Sequence, residues 1–216
     1  MGHRARIDEP DAIHHVIGRG NCKQAIYFDN LDRRDFLERL GRTTERHRFL
    51  CLSYCLMTNH YHLVVETPDG GLSVGIQQLH TGYSRRTNDR HGRCDHLFRQ
   101  RFGSVRIESE SHLMETLRYV VLNPVRAGLC RVPEDWRWSS YRALSGLEFG
   151  PQLLAEERLL SLFDADPETA RRRYRNFVYE ALPAALEVSD TMTGGARARP
   201  ERVRGGGYDV PSSLMT

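Results

Sequence analysis

The sequence predicts an α+β domain built on a ferredoxin-like, split βαβ antiparallel sheet with packed helices. Three observations point there. Apolar patterning runs in the order strand, helix, strand, strand, helix, strand, helix. The two middle strands, at 49–57 and 60–66, are separated only by Thr58-Asn59. So short a connection marks a hairpin and makes the strands antiparallel neighbours, against a purely parallel doubly wound sheet. Finally, 216 residues with 39% hydrophobic content suffice for one full domain and a small appendage.

The first strand is Ala12-Ile-His-His-Val-Ile-Gly-Arg19, punctuated by Gly18 and Gly20. A helix follows with Asn30 as its N-cap, Phe36, Leu37 and Leu40 on one face, and an end near His47. After the hairpin, Thr67-Pro68-Asp69-Gly70-Gly71 makes a turn. Leu72, Ile76, Leu79 and Tyr83 then recur at helical spacing. An arginine-rich loop leads to a short strand, Gly103 to Ile107. Ser109 caps a last helix with Leu113, Leu117, Val120 and Val121 on its apolar face, and Pro124 predicts its end at Asn123.

At the end of this domain (1–146), the aromatic stretch Trp136-Arg-Trp-Ser-Ser-Tyr141 reads as packing back on the sheet. Residues 147–188 form a helical extension, with amphipathic helices at 152–164 and 167–182. Residues 189–216, rich in Gly, Arg, Pro and Ser, read as a flexible tail. No apolar run approaches a membrane span and the N-terminus lacks an apolar signal region, so the expectation is a cytoplasmic protein.

The formal net charge is only +3, but Lys23 is the sole lysine and every other basic residue is arginine. Arginine forks suit phosphate oxygens. Arg85, Arg86, Arg90, Arg93, Arg99, Arg101 and Arg106 crowd one segment with few acids, as a nucleic-acid track would; a solvated basic face is the plainer alternative. Five cysteines without a paired framework fit a reducing compartment, with Cys51 and Cys55, four apart on one strand face, as packing residues. His91, Cys94 and His96 lack the second half of a zinc site.

Two features carry chemistry. His60-Tyr61-His62 lies in a strand, so its imidazoles share a face while Tyr61 enters the opposite layer. Imidazoles so spaced can hold one divalent cation, although alternating polar residues on a surface strand look the same. On the last helix, Tyr119 and Asn123 lie four apart, on a face turned away from the apolar stripe. A surface tyrosine is one explanation of that placement. A nucleophile with a metal-ligating amide beside it is the other.

Four blocks then carry a specific resemblance: Met57-Thr-Asn-His-Tyr-His-Leu63, His96-Leu-Phe-Arg-Gln-Arg-Phe102, Arg118-Tyr-Val-Val-Leu-Asn-Pro-Val-Arg-Ala-Gly-Leu129 and Trp136-Arg-Trp-Ser-Ser-Tyr-Arg142. In this order and at this spacing, the chain from about residue 12 to 146 resembles the REP-associated tyrosine transposases, of the single-tyrosine HUH (His-hydrophobic-His) superfamily. The resemblance implies that His60 and His62 hold a divalent metal, Mg2+ or Mn2+, with Asn123 completing the site. It implies that Tyr119 attacks a DNA phosphate, leaving a 5′-phosphotyrosine and a free 3′-hydroxyl. The substrate class is single-stranded DNA with a hairpin, for which Arg19, Arg85, Arg86, Arg99, Arg101 and Arg126 are candidate contacts; Tyr83 is a candidate stacking surface, with core packing the plainer reading because it lies on the apolar stripe. The ligand set is neutral, whereas magnesium prefers carboxylates, so phosphate oxygens would supply the missing negative charge and manganese would fit better. Compact relatives exchange the tyrosine helix between two chains; the C-terminal helices here favour a monomer, with a dimer as the alternative. The competing functional readings are a catalytically silent hairpin-binding protein and a metal hydrolase acting on small phosphodiesters.

Overall fold

Two histidine-bearing strands occupy the centre of the sheet. In the computed structural model, which describes residues 9–182, β1 (Ala12–Arg19) pairs antiparallel with β3 (His60–Thr67), placing Arg19 opposite His60 and Gly18 opposite Tyr61. β2 (Leu50–Leu56) flanks β3 and β4 (Gly103–Ile107) flanks β1, both antiparallel, giving the order β2-β3-β1-β4. This is the split βαβ sheet that the order of elements predicts. The residues assigned to the end of the extension (183–188) and to the tail lie outside the described part, as do residues 1–8.

Each face of the sheet has its own helices. α1 (Asn30–His47) and α2 (Leu72–His91) cover the Tyr61 face, where Phe36 and Tyr83 are fully buried. Tyr61 lies 4.9 Å from the Phe36 ring and its hydroxyl bonds His80 Nε2 at 2.6 Å. α3 (Glu110–Arg126) covers the His62 face. Among the described residues no helix is long and apolar enough to cross a membrane.

Several boundaries differ from expectation for identifiable reasons. The N-cap of α1 is Asp29, not Asn30: its carboxylate accepts from Leu31 N and Asp32 N, and Asp32 answers by accepting from Asp29 N. Arg90, near the end of α2, donates to both carboxylates, and His91 Nε2 meets Asp32 at 3.0 Å, tying the two helices end to end. α3 runs past Pro124 to Arg126 rather than stopping at Asn123. Proline forfeits one helical bond there, but Ala127 N still bonds Asn123 O and Leu129 N bonds Pro124 O, so the last turn closes.

A bulge corrects the placement of the β2 cysteines. Pairing slips between Cys51, opposite Val65, and Ser53, opposite Val64. Cys55 stands opposite His62, so the two buried cysteines occupy opposite faces instead of one.

The outer edge of β2 is covered by its own chain. Leu56 N bonds Trp138 O, Ser140 N bonds Tyr54 O and Ala155 N bonds Cys51 O. The aromatic stretch thus returns to the sheet as predicted, with Trp136 Nε1 donating to Leu56 O. Just before the extension, α4 (Tyr141–Leu144) has no counterpart in the sequence reading; within it, α5 (Glu156–Leu160) is shorter than 152–164, and α6 is Pro167–Tyr179. Arg118 of α3 lies 4.5 Å over the Phe177 ring and donates to Phe177 O, fastening α6 to α3.

Candidate active site

β3 presents His60 and His62 to the α3 face, their ring centroids 5.0 Å apart. The partners of each ring indicate which nitrogen is free. His60 Nδ1 lies 2.7 Å from Asn59 Oδ1; a carbonyl oxygen only accepts, so that nitrogen carries the proton and Nε2 keeps its lone pair. His62 Nδ1 lies 2.9 Å from His15 Nε2, and His62 Nε2 lies 3.3 Å from the Asn123 amide nitrogen. Tyr119, one turn before Asn123, sets its ring edge-on to His62 at 5.5 Å and to His15 at 5.9 Å. The Arg126 guanidinium lies 5.2 Å over the Tyr119 ring. Central strand and helix thus bring His60, His62, Tyr119 and Asn123 together within one chain.

The imidazoles are neutral at physiological pH. Burial, and then the nearby Arg19 charge, lowers His60 to about 4, against a smaller upward pull from Asn123. Burial drives His62 well below the ordinary value, with His15, His60 and Arg19 adding to it. Neutral rings with unprotonated Nε2 atoms are the form that binds metal. Among the described residues no group of three or more His, Cys, Asp or Glu side chains could hold a metal ion. A cation here would rest on two imidazoles and the Asn123 amide, whose ends exchange by a half-turn. That set fits a divalent ion whose remaining ligands come from an anionic substrate.

His15 has no place among the residues singled out by sequence, although it touches both His62 and Tyr119. The signal lay in strand alternation. His15 shares a face with Ile13 and Ile17, but nothing local says that β1 pairs with β3 in a register that brings it diagonally to His62.

The arginines divide. Arg19 ends β1 opposite His60 and is exposed, and Arg126 lies over Tyr119, so these two border the site; Arg99 lies next to Arg19, its backbone N bonding Arg19 O. Arg85 and Arg86 are exposed on α2, beyond the sheet, with Arg85 4.0 Å from Asp89. Arg101 lines a cavity with Ser73, Gln77, His80 and Phe102 on that same α2 side. The arginine-rich segment is therefore not one continuous track. Arg90 is spent on Asp29 and Asp32, and Arg106 pairs with Glu9. Tyr83 is core, its hydroxyl donating to Ile26 O.

Residues 10–123 match the model of the family described as "Transposase IS200 like". A Haemophilus influenzae protein described as a REP-associated tyrosine transposase is 26% identical over 129 residues, covering 55% of this chain and 73% of that one. The solved structure of a REP-associated tyrosine transposase bound to a REP hairpin superposes with a TM-score of 0.58 at 14% identity, over 70% of this chain and 89% of the other. That likeness is one of fold. With more than half its length inside the family model, the chain belongs to the IS200-like transposase family.

Proposed function

We propose that the protein nicks and rejoins single-stranded, hairpin-bearing DNA of the REP type through a covalent 5′-phosphotyrosine on Tyr119. The observation that carries this reading is the convergence, in one chain, of the Tyr119 ring, two neutral histidines and Asn123. The Tyr119 oxygen attacks the phosphorus and the bond to the 3′ oxygen breaks. The proton lost by the phenol is balanced by the one gained at the new 3′-hydroxyl. One phosphodiester replaces another, so attack by a 3′-hydroxyl on the phosphotyrosine reseals a strand without ATP.

His60 and His62 through Nε2, and Asn123 through its amide oxygen, would hold the divalent cation, Mg2+ or Mn2+. When bound, it supplies positive charge to the non-bridging phosphate oxygens and lowers the repulsion felt by the incoming phenol oxygen. Arg19 and Arg126 flank this position and suit the adjoining phosphates. Self-coverage of the β2 edge and a tyrosine facing its own chain's histidines support a monomer.

The test is incubation with a single-stranded REP-type hairpin and Mn2+, read on a denaturing gel. A covalent protein–DNA adduct is expected with the parent and none with Tyr119→Phe. An equal yield from Tyr119→Phe overturns the assignment. Hairpin binding without adduct in any divalent cation replaces it with a silent hairpin-binding protein.

A further inference from the structure

We propose that His15 is a positioning residue: it accepts a hydrogen bond from His62 Nδ1–H and so holds His62 in the tautomer whose Nε2 lone pair faces Asn123 and the reacting phosphate. The inference rests on the reading of His62 as a ligand and adds what makes it one.

The argument is one of proton placement. A neutral imidazole has one N–H and one lone pair, and nothing intrinsic to His62 decides which nitrogen carries which. The site decides it. Nε2 faces the site, 3.3 Å from the Asn123 side-chain amide, and a cation held there needs the Nε2 lone pair. Nδ1 must then carry the proton, and the atom opposite it at 2.9 Å is His15 Nε2, which must accept. With the other tautomer, an N–H would point at Asn123 and the metal position, and the lone pair would be sequestered in the protein.

The surroundings favour a built relay over incidental packing. His15 and His62 are 6% and 3% exposed, so water does not replace a lost bond. Their ring planes lie within 25° of one another with centroids 5.1 Å apart, so the two nitrogens approach edge to edge, nearly in plane. The contact is diagonal: His15 stands opposite Val64 and Ile17 opposite His62, so the side chain reaches across one residue step. His60 has the matching arrangement, with Asn59 occupying its Nδ1. Each candidate ligand therefore has one partner on Nδ1 and an Nε2 turned to the site, as expected where outer groups orient metal-binding histidines.

Long-range 1H–15N correlation spectra of the 15N-labelled, metal-free, full-length protein read the tautomer directly. The expected parent spectrum shows His62 as Nδ1–H; a parent with His62 as Nε2–H overturns the proposal without any variant. His15→Phe keeps the ring volume but cannot accept, whereas His15→Gln retains an acceptor. His15→Phe is expected to shift His62 toward Nε2–H. In the Tyr119→Phe background with uncut hairpin DNA, it is also expected to weaken Mn2+ binding, measured by electron paramagnetic resonance, about 10- to 100-fold. His15→Gln is expected to restore both to near the parent. If His62 stays Nδ1–H and Mn2+ affinity is unchanged in folded His15→Phe, His15 merely packs. If the Tyr119→Phe protein with hairpin binds no Mn2+ at all, the metal reading of the site fails, while the tautomer spectra still decide the role of His15.

Discussion

Gly18 on β1 lies directly under the ring of Tyr61 on β3, so closely that a Cβ added to it would come within 2.3 Å of Tyr61 Cε1. Tyr61 is fully buried and cannot swing aside without disturbing Phe36 and His80. Gly18→Ala is therefore expected to cost about 2 kcal/mol or more in urea unfolding. Tyr61→Leu should remove most of that additional cost, so the double variant is expected to be less destabilised than the sum of the two singles.

The other side of Tyr61 supplies a pH dependence. Burial lowers His80 to about 4, against an ordinary value near 6.5. Above pH 6.5 the ring is neutral in both folded and unfolded chains, and its contribution is fully present. As pH falls from 6.5 to 4, the unfolded chain takes up the proton first and stability drops, by on the order of 3 kcal/mol from this group. His80→Gln keeps a partner for the Tyr61 hydroxyl without titrating. It is expected to show a shallower loss of unfolding free energy between pH 6.5 and 4 than the parent; parallel curves would contradict this account.

Arginine position, not arginine number, should govern DNA binding. Arg19→Ala and Arg126→Ala are each expected to weaken hairpin binding at every salt concentration and to reduce the slope of log K against log salt by roughly 0.7. Arg85→Ala and Arg86→Ala, on the far side of the sheet, are expected to leave both quantities near parent values. Fluorescence anisotropy across a salt series distinguishes the two pairs.

The link between α1 and α2 should be a large local stabiliser. Asp32 is 3% exposed and accepts from Phe28 N, Asp29 N, Arg90 and His91. Asp32→Ala leaves these donors without that acceptor and is expected to cost about 3 kcal/mol. Arg90→Met, which preserves the stem packing, should cost less, because the remaining donors still satisfy the carboxylate. Thermal unfolding of the two variants gives the order.

The sheet was legible because its determinants are local: the two-residue break at Thr58-Asn59 and the Gly103–Ile107 run specify strands without long-range information. Strand periodicity paired His60 with His62 and helix periodicity paired Tyr119 with Asn123, while the family resemblance alone implied that the two pairs meet. What escaped depends on pairing. The bulge beside Leu52 turns Cys51 and Cys55 to opposite faces, and no propensity announces it. His15 acquires its neighbour only through the β1–β3 register. The end of α3 was placed one turn early because Pro124 was weighed as a breaker, whereas the lost bond falls in a final turn held by Ala127 and Leu129. Arg90 and Arg106 joined the basic segment by sequence, yet their acids, Asp29, Asp32 and Glu9, come from distant elements.

The contact between His62 and Asn123 spans 61 residues, from a central strand to the end of the third helix. During synthesis at about 5–20 residues per second, the ribosome delivers the second half of the site roughly 3–12 s after the first. Chains released before Asn123 carry the histidine pair but neither the tyrosine helix's last turn nor Arg126. A prematurely terminated product would thus carry its imidazoles without the Asn123 amide that stands beside His62 in the complete chain.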